Sequence, residues 1–183
     1  GGYAWVFPKR DHLSIGAGCL ASKARDLNHC YQEFFNSLSI SNYTISRASS
    51  HLTPTCKGKT IVSQNKALLL GDAAGLTDPL TGEGIYNAIQ SAQLAAPVIE
   101  NSLVKGKIEL QDYQQIVEER IMSEMRIART LSRVFMRFPQ LALRMLNQDE
   151  RVWRGCCYHL RGEINYAIIK ERLGGFKGIF ALL

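Results

Sequence analysis

The stretch LLLGDAAGLTDPLTGEGIYNAIQSAQLAA, residues 68–96, constrains the fold of this chain more than any other segment. Its apolar beginning predicts a buried strand over residues 66–70, which delivers Gly71 and Asp72 at its carboxyl end. From Gly82 onward the apolar residues recur at helical spacing, so a glycine-rich loop leads directly into a helix. The segment therefore predicts a strand–loop–helix unit with backbone groups accessible at the loop.

This loop has the chemistry to bind a ligand that carries hydroxyl groups and negative charge. The first turn of a helix leaves backbone N–H groups unpaired and lies at the positive end of the helix dipole. Gly82 and Gly84 allow the backbone to approach a ligand closely, because they have no side chain. Asp72, at the strand end, can accept hydrogen bonds from hydroxyl groups, whereas Glu83 is expected to stabilise the first helical turn.

Reduced flavin is a ligand of this kind, because hydride addition at N5 leaves negative charge on N1 and the C2 carbonyl. The sequence GDAAG followed by DPLTGEGI resembles the second FAD fingerprint of the two-domain flavoproteins, which include aromatic hydroxylases, squalene epoxidases and geranylgeranyl reductases. The resemblance implies that FAD is the cofactor and that Asp72 binds a ribityl oxygen. It also implies that Pro79 lies near the reactive edge of the ring and that the backbone of residues 82–85 faces the pyrimidine carbonyl.

The cofactor-binding residues expected on this basis are Gly71, Asp72, Ala73, Pro79, Gly82, Glu83, Gly84 and Ile85. The alternative is that the glycines of this segment only shape a structural turn.

A second motif narrows the family. Residues 3–8, YAWVFP, fit the YxWxFP pattern of geranylgeranyl reductases, flavoenzymes that reduce isoprenoid double bonds in archaeal lipids and in the phytyl chains of photosynthetic pigments. The resemblance implies that Tyr3, Trp5, Phe7 and Pro8 bind substrate in a tunnel beside the flavin. An apolar slot with aromatic walls is the site that a polyprenyl chain requires. The alternative is that these aromatic residues fill the core of a strand.

The expected function is an FAD-dependent reductase that delivers hydride from N5 of the reduced flavin to an isoprenoid alkene. The expected partners are the isoprenoid lipid and an external electron donor, NAD(P)H or ferredoxin, and no nucleic acid is expected. We assign no catalytic side chain, because no residue has the setting of a general acid. Two alternatives are an FAD-dependent monooxygenase of the same fold, acting as a hydroxylase or epoxidase, and a non-catalytic lipid-binding module.

The expected fold class is α+β, a flavoprotein fragment in which a mixed strand and helix part precedes a helical part. Runs at 3–7 and 13–18 predict a hairpin, and residues 23–38 predict a helix. Two further helices are expected, one that bends or ends near Pro97 and one over residues 110–138. We divide the chain into substrate-side elements (1–64), an FAD-closing unit (65–100) and a helical region (101–183).

No strand–GxGxxG–helix unit, the signature of an ADP-binding half, opens the chain. Residues 16–21, GAGCLA, fit GxGxxA but follow a hairpin, so we interpret them as a chance match. The expectation is that the chain is the C-terminal portion of a longer flavoprotein, and that it binds FAD poorly when separated.

Composition favours a cytoplasmic protein that associates peripherally with a membrane surface. The sequence contains no apolar run of about 20 residues, and its net charge is +6. Four arginines spaced three or four apart share one helix face, which predicts either an anionic-membrane contact or a solvated surface: Arg126, Arg129, Arg133 and Arg137. The five cysteines form no CxxC pair, and no metal site is expected.

Overall fold

The computed structural model describes residues 2–55 and 60–173, and the chain divides into two compact units between Leu52 and Thr53. The first unit contains β1 (Gly2–Pro8), β2 (Leu13–Cys19), a 3-10 turn (Ala21–Asp26) and α1 (Leu27–Ser37). The second unit begins with β3 (Ser63–Gln64), β4 (Ala67–Leu68) and a 3-10 turn (Gly71–Ala74). Its helices are α2 (Ile85–Val104), α3 (Gln111–Val117), α4 (Ser123–Arg137), α5 (Pro139–Gln148), α6 (Glu150–Leu160) and α7 (Tyr166–Leu173).

The first unit is built on the predicted hairpin. Strands β1 and β2 pair antiparallel, with Trp5 opposite Gly16. A Cβ atom on Gly16 would lie 2.1 Å from the Trp5 ring, so the indole occupies the space over this glycine. Gly16 and Gly18 therefore belong to a strand that accommodates an aromatic ring, which explains the GxGxxA match without a nucleotide.

The core of the second unit lies between α2 and the long helical stretch after it. Helices α3 and α4 are joined by one π-helical turn, Glu118–Met122, so the chain is helical from Gln111 to Arg137, close to the predicted 110–138. The fully buried side chains recur at helical spacing along this stretch and include Tyr113, Val117, Ile121, Met122 and Ala128. This stretch buries one face and leaves its arginines on the other.

Side chains of α3 fix the short strands to the helical core. Gln114 accepts a hydrogen bond from the Val62 amide at 2.8 Å and donates one to the Thr60 carbonyl at 3.0 Å. The Tyr113 hydroxyl donates to the Leu69 carbonyl at 3.0 Å. These bonds position the chain that enters the glycine turn at Gly71.

The prediction of a buried strand over residues 66–70 is wrong. The strand is limited to Ala67–Leu68, and Leu69 and Leu70 are 42% and 38% exposed. In the described part of the chain β4 pairs only with β3, so no second layer covers these leucines.

The helix predicted to bend or end near Pro97 does not end there, because α2 runs through this residue to Val104. Proline removes one helical hydrogen bond. Val98 and Ser102, which lie beyond Pro97, are buried, so the last two turns of α2 pack onto the rest of the second unit. The predicted helix over 23–38 begins instead as the 3-10 turn and becomes α1 at Leu27.

The mixed strand and helix content agrees with the expected fold class, and the helices dominate after residue 85. The predicted division at 64/65 and 100/101 stays a prediction beside the observed break at 52/53. No helix within residues 2–55 and 60–173 combines the length and apolarity needed to cross a bilayer.

Candidate functional site

The glycine turn and the first half of α2 enclose an open cleft of about 530 Å³ in the second unit. The residues that line it are Thr53, Leu70, Gly71, Asp72, Thr77, Gly82, Gly84, Ile85, Ala88 and Ala92. The 3-10 turn forms one side, and α2 forms the other.

Gly71 brings the turn into direct contact with α2. Its φ is +50°, and a Cβ atom there would lie 2.8 Å from Cβ of Ala88. The Gly71 amide donates to Oγ of Ser91 at 3.0 Å. The small residues Ala88 and Ser91 thus allow the backbone of Gly71 to approach α2 closely, and only glycine combines this approach with a positive φ at position 71.

The carboxylate of Asp72 lies beside the start of α2. The Thr77 hydroxyl donates to Oδ1 of Asp72 at 2.8 Å. A Cβ atom on Gly84 would lie 2.8 Å from the same Oδ1. Asp72 is exposed, whereas Thr77 is buried. The buried Thr77 hydroxyl therefore orients the Asp72 carboxylate, and a ligand can reach this carboxylate from solvent.

Asp78 organises the loop that leads into α2. Its backbone N–H donates to the Glu83 carbonyl at 2.8 Å, and its own carbonyl accepts from the Gly82 amide at 2.9 Å. Its Oδ1 accepts from the amides of Leu80 and Thr81 at 2.7 and 3.0 Å. This buried carboxylate therefore holds a compact loop, residues 78–83, in one conformation.

The start of α2 contains backbone donors that the described residues do not satisfy. Oε1 of Glu83 accepts from the Tyr86 amide at 2.8 Å, which is the helix-stabilising part predicted for Glu83. For the amides of Gly84 and Ile85 the described residues provide no acceptor. Both residues lie at the positive end of a helix and line a cleft that also contains an accessible carboxylate.

The structure brings together five of the eight predicted cofactor residues: Gly71, Asp72, Gly82, Gly84 and Ile85. The others do not line the cleft as the described residues form it. Ala73 lies in the 3-10 turn, and Pro79 and Glu83 lie in the loop 78–83.

Five residues that line the cleft were not predicted from the sequence. The small residues of α2, Ala88 and Ala92, could be found from the helical spacing, and Leu70 from its place directly before Gly71. Thr77 had no local signal, since its role depends on contact with Asp72. Thr53 was beyond prediction, because it reaches the cleft through a parallel bridge between Thr55 and Thr77.

Asn87 is a further residue that the sequence did not mark. It is 5% exposed and donates through Nδ2 to the Leu76 carbonyl at 2.8 Å. It ties α2 to the segment between the turn and the loop, and so supports both sides of the cleft.

Comparison with known proteins gives a consistent result, although no protein-family model matches the chain. The digeranylgeranylglycerophospholipid reductase of Methanoculleus marisnigri is 32% identical over 108 residues, 57% of this chain and 27% of that protein. The chloroplastic geranylgeranyl diphosphate reductase of Arabidopsis thaliana is 31% identical over 142 residues, 74% of this chain and 30% of that protein. A solved geranylgeranyl bacteriochlorophyll reductase-like protein from Thermoplasma acidophilum matches with a TM-score of 0.63 and 25% identity, over 73% of this chain and 36% of that one.

Relatives from archaea and plants and a shared fold decide the family. The chain belongs to the geranylgeranyl reductase family. It spans less than a third of the length of these two curated relatives. The resemblance read from the two sequence motifs is thereby confirmed at the level of the family.

The strand with the YxWxFP pattern, β1, carries a row of three aromatic rings in the first unit. The ring centroids of Tyr3 and Trp5 are 5.8 Å apart, and those of Trp5 and Phe7 are 6.1 Å apart. Tyr3 and Phe7 are 54% and 53% exposed, so the described residues do not bury these two rings, and Pro8 ends the strand. The row is an exposed aromatic surface that a hydrocarbon chain could contact.

No group of three or more histidine, cysteine, aspartate or glutamate side chains is arranged for a metal ion within residues 2–55 and 60–173. Cys56 lies outside the described residues, and the other four cysteines are free thiols.

Proposed function

We propose that this chain carries the flavin-closing part of an FAD-dependent reductase that acts on isoprenoid double bonds. The observation that supports the proposal is the cleft of the second unit, which is lined by Asp72, with its carboxylate oriented by Thr77, and by Gly84 and Ile85 at the start of α2. The names of the relatives in the geranylgeranyl reductase family support the substrate class.

The residues of the cleft fit FAD by the chemistry of their donors and acceptors. A carboxylate oxygen of Asp72 would accept hydrogen bonds from ribityl hydroxyls. The amides of Gly84 and Ile85 would donate to the pyrimidine carbonyl. Leu70, Ala88 and Ala92 provide the apolar contact that a flat ring system needs.

The start of α2, the loop 78–83 and the aromatic row each have a part in the proposed reaction. When bound and reduced by the external donor, FAD would supply a hydride equivalent from N5 to one alkene carbon and return to the oxidised form, while a proton adds to the other carbon. The positive end of α2 stabilises negative charge on the pyrimidine side of the ring, which favours the reduced form. The loop 78–83 carries Pro79, for which we propose a place next to the reactive edge. The aromatic row of Tyr3, Trp5, Phe7 and Pro8 would bind the isoprenoid chain.

Association with a membrane surface and the use of NAD(P)H or ferredoxin as donor complete the proposal. Of the four arginines of α4, Arg126 is paired with Glu118, and Arg129 also interacts within the chain. Arg133 and Arg137 are exposed, and Arg137 lies over the ring of Phe138, which is 41% exposed. The membrane contact would therefore depend on the end of α4 and not on the whole arginine face. The cytoplasmic location stays a prediction.

Anaerobic turnover tests this function. The full-length gene product, reduced with dithionite without oxygen, should add two hydrogen atoms to each reduced double bond of a geranylgeranyl lipid, as measured by mass spectrometry. A product that forms only with oxygen and contains a new oxygen atom would establish a monooxygenase instead. If the lipid binds but is recovered unchanged, the function would instead be that of a non-catalytic lipid-binding module.

A further inference from the structure

Tyr166, at the start of α7, is linked to the loop before α2 although 88 residues separate the two partners. Its hydroxyl donates to Oδ2 of Asp78 at 2.6 Å, and Tyr166 is 2% exposed. The other oxygen of the same carboxylate, Oδ1, holds the amides of Leu80 and Thr81. One buried carboxylate therefore joins the loop 78–83 to the C-terminal helices.

The donor end of this link is itself fixed from two directions. Oε2 of Glu124, on α4, accepts from the Tyr166 amide at 2.6 Å and so anchors the first turn of α7. The His159 ring lies 4.0 Å from the Tyr166 ring, centroid to centroid, and its Nδ1 is 3.0 Å from the Ile164 carbonyl oxygen. Contacts with α4 and α6 thus fix the position of Tyr166, whose hydroxyl donates to Asp78.

The surroundings of Tyr166 keep its hydroxyl protonated, so that it can donate a hydrogen bond. Burial, and then the negative charge of Asp78, raises the pKa of Tyr166, so the hydroxyl keeps its proton at neutral pH. Hydrogen bonds to a charged acceptor in a buried setting are stronger than neutral ones. The hydroxyl also satisfies an oxygen of Asp78 that would otherwise be buried without a donor.

We propose that Tyr166 is a positioning residue for the flavin-closing loop: by donating to Asp78, it holds the loop and the adjacent free amides of α2 in the arrangement that the cofactor requires. This inference rests on the proposed function for its cofactor, and on the geometry for the link itself. By this proposal the C-terminal helices contribute to the geometry of the cleft, although none of their described residues lines it.

The test uses Tyr166→Phe in the full-length gene product, with Tyr113→Phe as the matched control. Tyr113 is also a buried tyrosine that donates to an oxygen of this unit, but its acceptor is the Leu69 carbonyl and not the loop. In the flavin-free protein, amide hydrogen exchange at Leu80 and Thr81 should accelerate at least about tenfold in Tyr166→Phe and stay near wild type in Tyr113→Phe.

The flavin-loaded protein provides the second readout. Tyr166→Phe should shift the midpoint potential of the flavin to a more negative value, because looser amides at Gly84 and Ile85 stabilise the reduced form less. We also expect kcat to fall while KM for the isoprenoid stays unchanged. Loop exchange and potential equal to wild type, or an equal acceleration of loop exchange in Tyr113→Phe, would overturn the proposal.

If Tyr166→Phe does not fold, Glu124→Ala removes the acceptor that anchors the start of α7 while Tyr166 and Asp78 are both kept. It should accelerate exchange at Leu80 and Thr81, and an unchanged exchange rate would overturn the link. Failure of the proposed function is recognised separately, because the wild-type protein would then lack flavin absorbance while the exchange experiment still measures the link.

Discussion

At the scale of single residues, Gly84 is required by the space beside Asp72. Its backbone is in a region open to other residues, with φ at −131°, so strain does not explain the glycine. The requirement is space, because a Cβ atom would lie 2.8 Å from Oδ1 of Asp72 and 3.4 Å from Oγ1 of Thr77. A side chain here would displace the carboxylate that the proposed ribityl contact needs.

Gly84→Ala should therefore weaken FAD binding roughly 10-fold, about 1.4 kcal/mol, through lost hydrogen bonds of Asp72. The measurement is flavin titration by fluorescence in the full-length protein. Gly155→Ala is the control, since no atom lies within 4 Å of a Cβ atom at that position of α6. Equal affinities for Gly84→Ala and the control would show that Asp72 does not contact the cofactor.

At the scale of elements, α2 is held to the turn and loop by polar groups instead of large apolar ones. Its buried positions are Asn87, Ser91, Ala95, Val98 and Ser102. Small and polar residues let the backbone of Gly71 approach closely, and each polar one has a hydrogen-bond partner. The position of α2, and with it that of its free amides, thus depends on specific hydrogen bonds.

Asn87→Ala should lower the free energy of unfolding by about 1–3 kcal/mol, because the buried Leu76 carbonyl loses its donor. Urea unfolding measures this change. Asn101→Ala, on an exposed position of the same helix, should change stability far less. A loss for Asn87→Ala no larger than that for Asn101→Ala would contradict the assigned part of Asn87.

The buried tyrosines of α3 and α7 predict a loss of stability in base. Burial raises the pKa of Tyr113 and of Tyr166 in the folded state, while the unfolded value is about 10. Their stabilisation is complete below pH of about 10 and declines above it, because the unfolded chain then ionises while the folded chain keeps its protons. Unfolding at pH 9 and 11 should show a smaller decline in Tyr166→Phe than in wild type, and identical declines would refute the assignment.

At the scale of the whole molecule, the cleft belongs to the second unit and the aromatic row to the first, so each is a separate proposed ligand surface. The end of α4 adds a third surface, with the exposed Arg133 and Arg137 on α4 and the exposed Leu141 on α5. We propose that this third surface contacts a membrane from which a lipid substrate would be taken.

Replacing Arg133 and Arg137 together by glutamine should reduce sedimentation of the full-length protein with anionic vesicles several-fold. The control replaces Arg10 and Arg47, which are exposed in the first unit and carry the same charge. Sedimentation reduced equally in both variants would indicate a general charge effect and would remove α4 as the contact.

Local sequence patterns predicted the hairpin, the long helix after Leu110 and the position of the glycine turn, because each depends on neighbours in the chain. They failed where distant segments meet. The parallel bridge from Thr55 to Thr77, the bond from Tyr166 to Asp78 and the helical end beyond Pro97 all depend on tertiary packing. The exposure of Leu69 and Leu70 likewise depends on what covers a strand, which an apolar run does not specify.

The central claim is that Asp72 and the start of α2 hold FAD. The most direct test is the visible absorbance of the gently purified full-length gene product, compared with that of its Asp72→Ala variant after both are reconstituted with FAD. A flavin spectrum in the wild type that is strongly reduced in Asp72→Ala is the predicted result. A colourless wild type that gains no flavin on reconstitution would contradict the claim.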